Sequence, residues 1–161
     1  MSIPAEIAAA LASEFDIPDA GTLTVIVVRL MTAAVLGGLL GLEREHKGRA
    51  AGFRTHILVS VGSALFVLAP LMAGVDPADV TRVMQGIVSG IGFLGAGAII
   101  KMDQGSRVEG VTTAAGIWMT SAIGMSAGMG MEIVALVTTL VALLVLGVIP
   151  KLTGPEPPPE S

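Results

Sequence analysis

Five apolar stretches, near residues 23–42, 56–73, 83–100, 111–129 and 132–149, constrain this chain more than any other feature. Each holds about 17–20 residues, close to what a helix rising about 1.5 Å per residue needs to cross about 30 Å of hydrocarbon. The polar material outside them is too scarce to cover a water-soluble domain. Charged residues make up 14% of the chain and hydrophobic ones 53%, against roughly 25% charged in average soluble domains. The mean hydropathy is +0.83. The expected fold is all-α, an integral membrane bundle of about five short, glycine-rich transmembrane helices. The expected division is an N-terminal segment over 1–22, a transmembrane domain over 23–150 and a Pro-rich polar tail over 151–161.

The first twenty residues do not read as a signal peptide, because they lack Lys, Arg and a continuous apolar run. Ile3, Ile7, Leu11 and Phe15 share one helical face, which suits a helix lying in the membrane interface; a loosely ordered terminus is the plainer alternative. Pro70, Pro77 and Pro150 fall near span ends, where proline punctuates helices. Lys and Arg concentrate in the 43–54 and 101–110 linkers and at Lys151. The positive-inside rule therefore puts those segments in the cytoplasm and the N-terminus outside. The expected chain is a multi-pass membrane protein.

The 21 glycines cluster inside the spans. Gly37 with Gly41 and Gly86 with Gly90 form GxxxG pairs, and Gly90, Gly92, Gly95 and Gly97 make the run GIGFLGAG. In lipid, helices associate through close backbone contact rather than a hydrophobic drive, so this density predicts tight packing within one chain or across a dimer. The run is unsuited to nucleotide binding, which needs a strand, a turn and a helix in a soluble sheet. Packing and a broken helix lining a pocket both remain readings of it.

Arg29 lies about a third of the way into the first span, where a charge must snorkel, pair or line a polar cavity. Asp76, Asp79 and Glu132 are its expected partners. Glu43 and Lys47 stand at the favourable i,i+4 spacing. The basic stretch around Arg44, Lys47, Arg49 and Arg54 reads as a cytoplasmic cap on anionic headgroups or as a recognition surface. Thr55 and Thr112 are expected N-caps, Arg54 is expected to pair with Glu43, and Thr113 to bond back into its own helix. Arg82 and Gln85 open the third span. Trp118, inside the fourth, is expected to pack in the bundle with its N–H satisfied.

Several functions are disfavoured. The net charge of -4 does not suggest nucleic acid. The absence of cysteine removes disulfides, thiolate catalysis and Cys-ligated metals. His46 and His56 are the only histidines, and no Ser-His-Asp set or metal-ligand spacing is apparent, so no enzyme, cofactor or metal site is expected. The methionines, Met119, Met125, Met129 and Met131 among them, read as packing rather than copper ligands.

Four blocks, Gly37–Glu45 (GGLLGLERE), Ala51–His56 (AGFRTH), Gly86–Gly97 (GIVSGIGFLGAG) and Gly110–Trp118 (GVTTAAGIW), resemble the MgtC/SapB family of bacterial inner-membrane proteins in order, spacing and context. The resemblance spans about 29–130 and implies a five-span membrane domain, without the cytoplasmic domain that often follows it. It places Arg29, Glu43, Arg44, Arg54, Thr55 and His56 on the family's polar positions and Arg82 on its Arg ahead of helix three. The run Gly90–Gly97 falls on the family's central glycines, and Thr112 and Thr113 on its paired threonines. Members are linked to low-magnesium adaptation, survival in host cells and, for some, modulation of the membrane ATP synthase. The expected function is a regulatory membrane protein for magnesium limitation or stress that binds a membrane partner or small ligand. The alternative is a transporter or channel for an ion, Mg²⁺ by family label, or a small solute. Membrane lipid, a membrane protein partner and a second copy, as a dimer, are the expected associates.

Overall fold

The computed structural model describes residues 3–14, 17–100 and 110–150. The 101–110 basic linker, apart from Gly110, and the Pro-rich tail lie outside the described residues. Among those described are six helices: α1 (Ile3–Glu14), α2 (Ala20–His46), α3 (Phe53–Met72), α4 (Pro77–Ile100), α5 (Val111–Gly128) and α6 (Glu132–Gly147). By length and composition α2, α3 and α4 can each cross a membrane, and α6 is a shorter apolar helix. The fold is thus an all-α, membrane-spanning bundle. α1 is exposed along its whole length and packs on no other helix.

Aspartates cap two of the helices. Asp19 caps α2, accepting from the Gly21 and Thr22 N–H groups at 2.9 and 3.1 Å and from the Thr22 hydroxyl at 2.6 Å. The Thr22 hydroxyl, with these amides, holds its carboxyl below the usual aspartate value. Asp76 caps α4 through the Ala78 N–H at 2.8 Å, which accounts for this aspartate without any contact to Arg29. The expected caps at Thr55 and Thr112 are not found. Helix α3 starts one turn earlier, with Gly52 as N-cap, and the Glu45 carboxylate accepts from the Phe53 N–H at 2.7 Å. Helix α5 starts at Gly110, whose φ of 96° only glycine adopts easily. A Cβ there would also lie 2.5 Å from the Ala98 carbonyl oxygen, so α4 and α5 meet at this turn.

Helix α5 is the central element and touches α2, α3, α4 and α6. Its small and hydroxylated residues, among them Gly116, Thr120, Ser121, Gly124 and Gly128, are buried. Their surroundings are protein, so these positions need no apolar side chain. Ala33 and Leu40 of α2, Ala64 of α3, Ile123 and Ala127 of α5 and Ala135 of α6 form the main apolar core.

The glycines divide into two groups. A Cβ on Gly37 would lie 2.6 Å from the Ser60 Cβ, and one on Gly41 would lie 2.7 Å from the Phe53 Cα. On α5, a Cβ at Gly124 or Gly128 would lie 2.8 Å from the Ser60 Cα or 2.9 Å from the Ala64 Cα. These four let α2 and α5 lie directly on the α3 backbone. Among the described residues, a Cβ added at Gly86, Gly90, Gly92 or Gly97 would meet nothing within 4 Å, and one at Gly95 would approach only Ala114, at 3.5 Å. Of the two GxxxG pairs, only Gly37 and Gly41 pack helices within the chain among the described residues. Helix α4 runs unbroken through its glycine run, so a broken helix there is excluded.

Trp118 differs from expectation too. It is 48% exposed, on the outside of α5, instead of packing in the bundle. Ile117 and Ser121 of the same helix are buried, while the indole is left at the edge of that buried face.

Candidate functional site

The C-terminal turn of α2, the first turn of α3 and the last turn of α6 meet at one end of the bundle, where polar side chains converge. Arg44 is 2% exposed. Its Nε donates to Glu43 Oε2 in a short ion pair, and its Nη2 donates to the Leu146 carbonyl at 3.1 Å. The Lys47 ammonium lies 2.8 Å from Glu43 Oε1 and also donates to the Leu146 carbonyl. Two cations thus cover the C-terminal carbonyl end of α6, where the helix dipole favours positive charge. Glu43 holds both cations in place. The expected Glu43–Arg54 pair does not form: Glu43 is engaged on the α6 side, while Arg54 and Thr55 point outward from α3 and are exposed.

His56 lies one turn into α3 and is fully buried. Its Nδ1 stands 3.0 Å from the Gly52 carbonyl. A carbonyl can only accept, so Nδ1 carries the proton. Nε2 then faces Gly116 of α5, where a Cβ would lie 3.7 Å from it, and it has no hydrogen-bond partner among the described residues. The Ser60 hydroxyl, one turn further along α3 and fully buried, likewise lacks a partner. Beyond it Ser63 and Ser121 share a 2.7 Å hydrogen bond between α3 and α5. Thr113 is buried at the start of α5, whereas Thr112 is exposed. A polar seam therefore runs along α3 against α5. Chemically it offers hydrogen-bond acceptors and donors to a small guest such as water. Among the described residues, no three His, Cys, Asp or Glu side chains converge to hold a metal ion.

Arg29 does other work. Its Nη1 donates to the Gly128 carbonyl at 3.0 Å, so it caps the C-terminal end of α5 instead of pairing with Asp76, Asp79 or Glu132. The guanidinium lies against Gly130, where φ is 80° and a Cβ would fall 2.5 Å from Nη2. The orphan carbonyls and dipole of a helix end replace a carboxylate as partner. Arg29→Leu is expected to lose about 1–2 kcal/mol of stability, as for a charged hydrogen bond removed from a partly buried helix end. A thermal unfolding midpoint unchanged in detergent would contradict this cap.

Arg44, Glu43 and His56 come together, with Thr113 at the start of α5. Arg29, Asp76 and Arg82 lie elsewhere, the last exposed on α4. Nothing in the sequence singled out Ser60, Ser63 or the Leu146 carbonyl as parts of this site, whereas the Glu43–Lys47 pair was expected from its spacing and is found. The spacing of His56, Ser60 and Ser63 on one face of α3 was the available signal; a backbone carbonyl leaves none.

The MgtC family pattern matches residues 30–154. The chain belongs to the MgtC family. It is similar to the putative magnesium transporter YhiD of Escherichia coli K12, 42% identical over 137 residues that cover 79% of this chain and 61% of that one. Protein SrpB of Synechococcus elongatus is 43% identical, covering 73% of this chain and 71% of its own length. Protein MgtC of Salmonella typhimurium LT2 is 42% identical, covering 73% of this chain and 49% of its own. The chain thus spans about three-fifths of the length of YhiD and about half that of the Salmonella protein. No solved structure matches it. Family membership and the long apolar helices make it a multi-pass protein of the inner membrane. Three of the blocks that carry the family resemblance, 37–45, 51–56 and 110–118, contribute the Arg44–Glu43 lock, His56 and Gly116.

Proposed function

We propose that this protein is an MgtC-like regulatory membrane protein linked to magnesium limitation or stress adaptation. It acts by binding a membrane partner or small ligand, with no catalytic step. In this reading α2 to α6 cross the membrane, with the N-terminus outside, the C-terminus cytoplasmic and α1 in the interface. The observation that carries the reading is how the charges at the α2 end are used. Mg²⁺ takes oxygen ligands and prefers carboxylates, yet Glu43 is neutralised by Arg44 and Lys47, and both cations are tied to α6. The α3–α5 contact is closed to the point that a methyl group does not fit at Gly124. Arg49 and Arg54 remain exposed and outside any ion pair among the described residues, available to a partner or an anionic ligand.

Transport is the second reading. The unpartnered His56 Nε2 and Ser60 hydroxyl favour it, because a passing polar solute would satisfy both.

The test pairs flux with growth. Folded protein in sealed liposomes is expected to carry no saturable Mg²⁺ flux. In a strain lacking the chromosomal copy, the wild-type chain is expected to restore growth at low Mg²⁺, and Arg49→Ala/Arg54→Ala to fail while accumulating normally. Saturable flux that falls with His56→Leu would overturn the regulatory reading in favour of transport. Full growth with the double variant would remove the basic surface from it.

A further inference from the structure

The free glycine face of α4 carries an inference beyond this function. Asp79, Arg82, Gly86, Gly90, Phe93 and Gly97 follow one another at spacings of three or four residues, so they line one face of the helix. All six are exposed. Elsewhere in the molecule, Gly37, Gly41, Gly124 and Gly128 are each pressed against a neighbouring backbone. The α4 glycines have the same spacing and no such neighbour. Lipid chains reshape around any apolar side chain, so lipid gains little from a bare backbone, whereas a second helix gains close contact.

We propose that this face of α4 packs against the same face of a second copy, across a two-fold axis along the membrane normal. Three observations fit a copy of this chain as the occupant. The first is charge. Asp79 and Arg82 stand one turn apart on the face, and neither forms an ion pair within the chain among the described residues. Two copies inserted the same way and related by a two-fold axis bring each Asp79 toward the other copy's Arg82, an isologous, self-complementary pairing. The second is shape. Phe93 is 80% exposed and forms a ridge on α4. Beside it a groove of about 660 Å³ opens between α3 and α4, lined by Gly62, Phe66, Gly86, Gly90 and other apolar groups. Ridge and groove lie on the same side of the molecule, so a two-fold copy offers its ridge to this groove. The third is the glycines themselves, since Gly86 and Gly90 bracket the point where two α4 backbones would cross.

The absence of native cysteine makes the test direct. Single Gly86→Cys and Gly90→Cys variants in phosphatidylethanolamine/phosphatidylglycerol liposomes are expected to form disulfide-linked dimers under a mild oxidant. A disulfide needs Cα atoms within about 7 Å. Val141→Cys, on the exposed face of α6, is expected to remain monomeric. Single-molecule photobleaching at increasing lipid dilution gives the dimer fraction. Gly90→Leu is expected to weaken association by about tenfold or more through overpacking. Its helicity and unfolding midpoint are expected to be retained, because none of the described residues lies within 4 Å of the added Cβ. Asp79→Arg is expected to weaken the dimer, and Asp79→Arg/Arg82→Asp to restore it. Monomers at every dilution, a dimer indifferent to Gly90→Leu, or cross-linking at Val141→Cys in place of Gly86→Cys and Gly90→Cys would each overturn the proposal. The first would leave the face to lipid or another protein; the other two would place the interface elsewhere.

Discussion

Gly124→Ala, on α5, is expected to lower the unfolding midpoint of the purified protein in detergent more than a single methyl addition at any exposed glycine of α4. The new Cβ would run into the Ser60 carbonyl group and lie 2.8 Å from the Ser60 Cα. The obstacle is backbone in the middle of α3, which cannot rotate away as a side chain can. Relief requires α5 to move off α3, and α5 also touches α2, α4 and α6. Overpacking of a tight contact costs about 1–3 kcal/mol and sometimes more; this site belongs at the upper end. Gly92→Ala is the control. None of the described residues lies within 4 Å of its added Cβ, and alanine is the better helix former by up to about 1 kcal/mol. That variant is expected to be neutral or slightly stabilised. Equal losses at both positions would mean that the α3–α5 contact is not the tight one described.

Arg44→Met is the second large effect. It removes the guanidinium that joins Glu43 to the Leu146 carbonyl. Breaking a buried charge pair from one side costs about 3–5 kcal/mol. Lys47 still reaches Glu43 and the same carbonyl, so about 3 kcal/mol is expected. Arg44→Lys is expected to recover only part of this. An ammonium is a point charge on a flexible stem and does not present two fixed N–H directions at once. Lys47→Met should lose less than about 1 kcal/mol, because the lysine side chain is 33% exposed and its ion pair is screened. Denaturation in mixed micelles of the three variants would rank them. A loss at Lys47 as large as that at Arg44 would refute the assignment of Arg44 as the buried member of the lock.

How much of this was legible in the sequence differs by residue. The helices were legible because apolar runs act locally; their caps were not, since Gly52 and Gly110 stand where Thr55 and Thr112 were expected and Asp76, expected to pair with Arg29, caps α4 instead. Glu43 with Lys47 was legible for the same reason, since the i,i+4 spacing alone brings them together. The partner of Arg29 was not legible. Carboxylates in the sequence advertise themselves, whereas the Gly128 carbonyl that takes the hydrogen bond is like every other backbone carbonyl until α5 ends beside it. Trp118 misled because its rotational phase on α5 depends on which neighbours that helix has.

By itself, the sequence determined that this chain forms apolar helices rich in glycine, that they belong in a membrane, and that their polar groups gather near the ends. Hydropathy, helix length and local spacing suffice for that, because each is a property of consecutive residues. Only the tertiary structure decided which glycines are spent inside the chain and which are left over. Gly37 and Gly86 each begin the same GxxxG pattern, yet a Cβ on the first would strike Ser60 and on the second would meet none of the described residues. It also decided that Arg44 is buried against α6 while Arg54 faces out. The physical reason is common to both. Close approach and burial are set by the rotation and crossing of helices far apart in the chain, and a local pattern carries no information about what stands opposite it.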